Sequence, residues 1–179
     1  MAARTLSLLV FTALALPAAA AIAPPTGLAS NLLPAAGEVP AFRLAASGVQ
    51  IYACRESVTQ PGAYRWTFVN PDATLNDPES GADVATLRAI DTWNALNDLS
   101  SVSAVLRATQ AAGTNDLPWA YMRAIPASPD GMFAGVTSIQ RVNTRGGAAP
   151  RDGCTVDTAG SEARVPFTAD YYFYKRGVA

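Results

Sequence analysis

The segment best equipped for chemistry is Arg141-Val142-Asn143-Thr144-Arg145-Gly146-Gly147. Its two guanidinium groups are forked donors that match carboxylate or phosphate. Asn143 and Thr144 add an amide and a hydroxyl, and the glycine pair lets backbone approach a bound group closely. If a strand runs through it, Arg141, Asn143 and Arg145 alternate onto one face. The competing reading is architectural: Asn143 and Thr144 close a turn, and the arginines pair with Glu162 or Asp170. Trp93 and Trp119, together with Trp66, Tyr171, Tyr172 and Tyr174, could stack on a sugar ring, although aromatic residues of this kind also build β cores. The expected ligand-contacting set is therefore Arg141, Asn143 and Arg145, with Trp93 or Trp119 in reach.

The rest of the chemical vocabulary is narrow. None of the 179 residues is histidine, so no Ser-His-Asp or Cys-His arrangement and no metal-imidazole set can form. Neither a GxSxG elbow nor a phosphate-binding glycine loop occurs, and no glycine-rich strand-to-helix turn suits a dinucleotide. No cofactor is expected. Two sulfurs without a CxxC leave a zinc site short of ligands. Paired carboxylates remain open, with Asp152, Asp157, Glu162 and Asp170 as candidates, each with a plainer reading as turn or surface charge. Asp72, Asn76, Asp77, Glu79 and Asp83 concentrate oxygens in a turn-rich stretch. Calcium takes such ligands, but the spacing is not that of an EF-hand and a solvated turn is the default. No metal site is expected.

The first 21 residues have the order of a cleavable export signal: a short basic start at Arg4, an apolar run from Leu6 to Leu16, then Ala18-Ala19-Ala20-Ala21. Pro17 interrupts the run before it reaches the roughly 20 residues that a membrane span requires. Cleavage after Ala20 or Ala21 leaves about 155 to 160 residues, the size of one domain. That domain is expected over residues 41–176, after an irregular Pro- and Ala-rich lead-in at 22–40. Such a chain needs no metal or dense disulfide scaffold to bury a core. Charged residues are 15% of the chain, below the usual ~25%. Removing Arg4 from the 13 basic residues leaves 12 against 14 acidic ones. So weak and balanced a charge argues against nucleic acid or an anionic membrane as partner. No membrane span is expected after cleavage. A secreted or periplasmic location favours a bond between the two cysteines, Cys54 and Cys154, over two free thiols.

Short alternating segments divided by turn residues must position these groups. Ala41–Ala46 and Val49–Cys54 flank Ser47-Gly48, which reads as a hairpin turn. In the second segment Gln50, Tyr52 and Cys54 share one face. Tyr64–Val69, Ser101–Thr109, Trp119–Ile125, Phe133–Val142 and the aromatic Ala163–Lys175 are further strands. Seven or eight short strands point to an all-β, single-domain sandwich or barrel. One segment disagrees: Asp83–Leu99 carries Val84, Leu87, Ile90, Trp93, Leu96 and Leu99 three apart without Pro or Gly, and its local pattern predicts one short helix.

Several blocks in order resemble the domain-of-unknown-function 3455 family of secreted proteins. They are Gly48-Val49-Gln50-Ile51-Tyr52-Ala53-Cys54, Leu117-Pro118-Trp119, Gln140-Arg141-Val142-Asn143-Thr144, Gly146-Gly147, Gly153-Cys154, Arg164-Val165-Pro166 and Tyr171-Tyr172-Phe173-Tyr174. The resemblance spans nearly the whole mature chain and implies an exported β-rich domain with no assigned reaction. The chain also departs from the family. Where relatives often read H-x-A-G-P-x-W, it has Leu87-Arg88-Ala89-Ile90-Asp91-Thr92-Trp93, and Thr158 stands where relatives often carry a histidine.

The functional expectation is a domain that binds a small molecule or an envelope glycan. The alternatives are a hydrolase using carboxylates without histidine, and a structural or adhesion module without a small ligand.

Overall fold

The computed structural model describes residues 22–125 and 128–177. The expected signal segment lies outside them. Eight strands follow in chain order: β1 Glu38–Ser57, β2 Gln60–Asn76, β3 Asp83–Ala89, β4 Thr92–Ala95, β5 Ser101–Gln110, β6 Trp119–Ile125, β7 Val136–Gly146 and β8 Glu162–Arg176. Each pairs antiparallel with the next, and β8 pairs back onto β1. The result is a closed barrel. Closure removes the exposed sheet edges that invite aggregation.

Side-chain alternation supplies the interior. Leu44 and Ala46 of β1, Ala73 and Leu75 of β2, Ala85 and Leu87 of β3, and Trp93 and Ala95 of β4 belong to one buried cluster. Ala120 and Met122 of β6 and Phe167, Ala169, Tyr171 and Phe173 of β8 join it. An eight-stranded barrel has an interior just wide enough for such side chains to fill. One end is sealed: the Phe42 ring stacks on Phe173 at 4.6 Å, and Phe133 lies 5.3 Å from Phe173. The sealing turn is pinned by Asp98, whose carboxylate accepts from the amides of Ser100 at 2.9 Å and Met132 at 2.6 Å. Gly131 must be glycine here: it has φ +88°, and a Cβ would meet Ser100 Cβ at 2.7 Å and Asp98 Cγ at 2.8 Å.

Three sequence expectations are corrected. Ser47-Gly48 is no turn, because β1 runs unbroken through it. Gly48 is small because β2 crosses so closely that a Cβ would lie 2.2 Å from the Asp72 carbonyl oxygen. Asp83–Leu99 is not a helix but the β3–β4 hairpin, turning at Ile90-Asp91. The three-residue spacing misleads because the true inward set, Ala85, Leu87, Trp93 and Ala95, includes alanines that carry little pattern. Ile90, Leu96 and Leu99 are exposed, and Asp91 and Leu99 have left-handed φ of 45° and 59°. In the Phe133–Val142 segment the strand starts only at Val136, and Phe133 sits in the preceding turn as part of the plug.

The lead-in forms a strap on the outside of the barrel. It contains a 3-10 turn, Ser30–Leu32. Gln140 Nε2 donates to the Leu32 carbonyl at 2.6 Å, and Tyr174 donates its hydroxyl to Gln140 Oε1. Ile22 and Leu28 pack with Trp119 against Val142, Tyr172 and Tyr174. This second, outer core explains why consecutive residues Tyr171–Tyr174 are all buried: odd positions face inward and even ones face the strap.

Cys54 and Cys154 are bonded, with Cα atoms 5.3 Å apart. The bond ties the long β7–β8 connection to the end of β1. Trp66 Nε1, donating to the Asp152 carbonyl at 2.8 Å, fixes the same connection to β2. No helix among the described residues is long and apolar enough to cross a membrane.

Candidate functional site at the barrel mouth

The end opposite the aromatic plug is open and holds a cavity of about 270 Å³. Its apolar wall includes Phe68, Leu87, Ile90, Leu106, Leu117 and Met122, and its polar groups are Gln50, Tyr52, Asp91, Arg141 and Tyr171. Leu87, where the family resemblance would place a histidine, is part of the apolar wall.

Strand irregularities aim these residues. Register shifts fall between Ile51 and Tyr52 on β1, between Leu87 and Ala89 on β3, and between Leu106 and Ala108 on β5. A fourth falls between Val142 and Arg145 on β7, just beyond Arg141. All four hairpins at this end are therefore bent beside a cavity residue, which is how bulges re-aim side chains at barrel rims.

Arg141 Nε and Nη2 donate to the Pro118 carbonyl at 3.2 and 3.0 Å. One edge of the guanidinium is thereby fixed. The rest of the guanidinium faces the cavity beside the Tyr171 hydroxyl, and no carboxylate among the described residues pairs with it. Asp91 occupies the β3–β4 turn, and no donor among the described residues reaches its carboxylate. Burial pushes its pKa up, and the Arg141 charge pulls it partly back. The two charges share one cavity, yet no ion pair joins them among the described residues. Tyr171 lies between their fields, its pKa raised by burial and moderated by the adjacent Arg141. Tyr52 is also raised by burial and donates its hydroxyl to the Gly147 carbonyl at 2.6 Å. Gln50 is buried and has no side-chain partner among the described residues, so its amide faces the cavity.

The structure splits the ligand-contacting set expected from sequence. Arg141 lines the cavity. Asn143 and Arg145 do not share its face, because Asn143 has φ 52° and the bulge there breaks the alternation. Asn143 donates to Asp170 at 2.8 Å on the outer surface, and Arg145 lies beside it in shallow depressions outside the barrel. Trp93 is fully buried below the cavity, edge-on to Tyr171 at 5.4 Å, and its Nε1 has no partner among the described residues. Trp119 packs outside, against the strap. Gln50, Tyr52 and Asp91 escaped the sequence reading as site residues, and Tyr171 entered it only as an aromatic that could stack on a sugar. The shared parity of Gln50 and Tyr52 was visible, but a buried amide has no motif, and Asp91 was hidden in the segment read as helix.

Several of the other candidates have structural partners. Asp72 takes Arg88 at 3.4 Å and Arg164 at 3.0 Å. Asp77 accepts from the Glu79 amide in a tight turn. Glu162 pairs with Arg164, and no group of metal ligands forms among the described residues. Thr158, at the other position where relatives carry a histidine, donates to the Gly153 carbonyl at 2.9 Å and caps the disulfide loop.

No curated protein and no solved structure matches the chain. A family model described as "Protein of unknown function (DUF3455)" matches residues 34–105 and 88–175. With those matches covering the barrel from before β1 almost to the end of β8, the chain belongs to the DUF3455 family.

Proposed function

We propose that this protein is an exported binding barrel that takes a small molecule into its open mouth. One observation carries the reading: the Arg141 guanidinium, the Asp91 carboxylate and the Gln50 amide converge, with no ion pair between the two charges among the described residues, in a recess walled largely by apolar side chains. A few convergent polar groups in an apolar cleft are the ordinary make-up of a ligand site. The cavity is slightly smaller than the roughly 300 Å³ at which drug-sized sites begin, which favours a small ligand over an extended glycan. Asp91 is the one carboxylate among the described residues that lines the cavity, which weighs against two-carboxylate hydrolysis at this place. Export is supported by the disulfide and by the leading apolar segment.

A thermal-shift screen of a chemically diverse small-molecule library against the mature chain tests the reading. A ligand at 100 times its Kd should stabilise the fold by about 2.7 kcal/mol. Its amide chemical-shift changes should centre on Ile90–Thr92 and Gln140–Val142. Hits that map to the strap or the outer depressions, or a screen without hits, would overturn it.

A further inference from the structure

We infer that the ligand of the mouth is a small zwitterion with an apolar body, of the kind a free amino acid with a branched or aromatic side chain presents. This rests on the cavity being a ligand site and adds the ligand's charge pattern. The argument begins with what Asp91 and Arg141 fail to do. A cation and an anion lining one small cavity ordinarily meet, because a direct pair offsets part of the desolvation of each. Here neither does. Arg141 is tethered at one edge by the Pro118 carbonyl, and Asp91 is fixed in a left-handed turn residue. These two constraints hold the charges at separate places on the cavity wall.

A ligand that satisfies both must therefore carry both signs. Its carboxylate matches the cavity-facing side of the Arg141 guanidinium, beside the Tyr171 hydroxyl, where parallel donors suit two oxygens. Its ammonium supplies the donor that the Asp91 carboxylate lacks. The Gln50 amide, able to donate and accept, serves either group. Leu87, Leu117 and Met122 line the cavity, and Phe68, Ile90 and Leu106 at its mouth are 39%, 58% and 50% exposed. Such walls and rim suit an apolar side chain better than a polar one. A simple organic acid would leave Asp91 in a dried cavity with no cation, the arrangement its raised pKa already resists. A simple amine would do the same to Arg141.

The matched probes are L-leucine, 4-methylpentanoate, which lacks its ammonium, and 3-methylbutylamine, which lacks its carboxylate. L-phenylalanine, 3-phenylpropanoate and 2-phenylethylamine form a second set. Titration calorimetry of the mature chain at neutral pH should show at least one zwitterion binding about tenfold or more tightly than both its single-charge analogues, as expected for a lost charge-assisted contact. Asp91→Asn, tolerated in a left-handed turn, should reduce the zwitterion to the affinity of its acid and leave the acid unchanged. Arg141→Gln should reduce it to the affinity of its amine. Should Arg141→Gln unfold through loss of the Pro118 contact, the Asp91→Asn arm alone decides. An acid or amine that equals its zwitterion, or an Asp91→Asn protein that keeps full zwitterion affinity, overturns the inference. In that case the cavity remains a binding site for another class. If neither these probes nor the wider library binds, the binding function itself falls with it.

Discussion

Two neighbouring turns carry an aspartate and use it in opposite ways. Asp98, in the turn from β4 to β5 at the sealed end, spends its oxygens on the Ser100 and Met132 amides. Hydrogen bonds from Ser100 hold its pKa down. Asp91, in the turn from β3 to β4 at the mouth, has no donor among the described residues, and burial holds its pKa up. The first is a structural brace. The second is a charge placed where the fold gains nothing from it, and that contrast is what marks the mouth as functional. The same division runs through the barrel: phenylalanines fill one end, while an amide, a guanidinium and a carboxylate stand open in the other.

The contrast is broken most forcefully at the sealed end. Phe133→Ala should destabilise by about 3–5 kcal/mol, the usual cost of emptying an aromatic core position. Urea unfolding would show it, and a loss below about 1 kcal/mol would mean the plug is not packed as described. Next comes the bond between Cys54 and Cys154. The double serine variant should lose about 2–5 kcal/mol, read as a lowered urea midpoint, with wild type in reductant matching the variant.

The two aspartates should then give stability profiles of opposite sign. For Asp98 the folded pKa is lowered, so its contribution is present above the unfolded value and is lost as pH falls through the folded one. For Asp91 the folded pKa is raised. Between the ordinary carboxyl range and that raised value the folded state holds more protons than the unfolded state, so stability falls as pH rises. Asp98→Asn should flatten the acid limb of the urea midpoint against pH, and Asp91→Asn should remove the decline above it. Identical profiles for the two variants would erase the distinction. The smallest effect is expected at Gln50. Gln50→Met should change stability by less than about 1 kcal/mol, because no protein partner is orphaned, while weakening whatever the mouth binds.

Much of the barrel was legible in the sequence because strand alternation reports burial directly. Gln50, Tyr52 and Cys54 read as one face, and the aromatic run of β8 read as a strand. The alternation failed where small or special residues carried the structure. Alanines at Ala85 and Ala95 concealed the β3–β4 hairpin, and Gly48 read as a turn although it serves a close strand crossing. At the site, Arg141 was legible from its type. Its separation from Asn143 and Arg145 was not, since one bulge at Asn143 reverses the face of everything after it. Asp91 became a site residue only through closure of the barrel, which brings β3 and β7 around one cavity from distant parts of the chain.

The most direct test of the mouth as a ligand site is native mass spectrometry of the protein taken from its own source without denaturation. Wild type should carry a small-molecule adduct that is absent from Arg141→Ala protein with its disulfide intact. Wild type without any adduct, or an adduct equally abundant on the variant, would contradict the account.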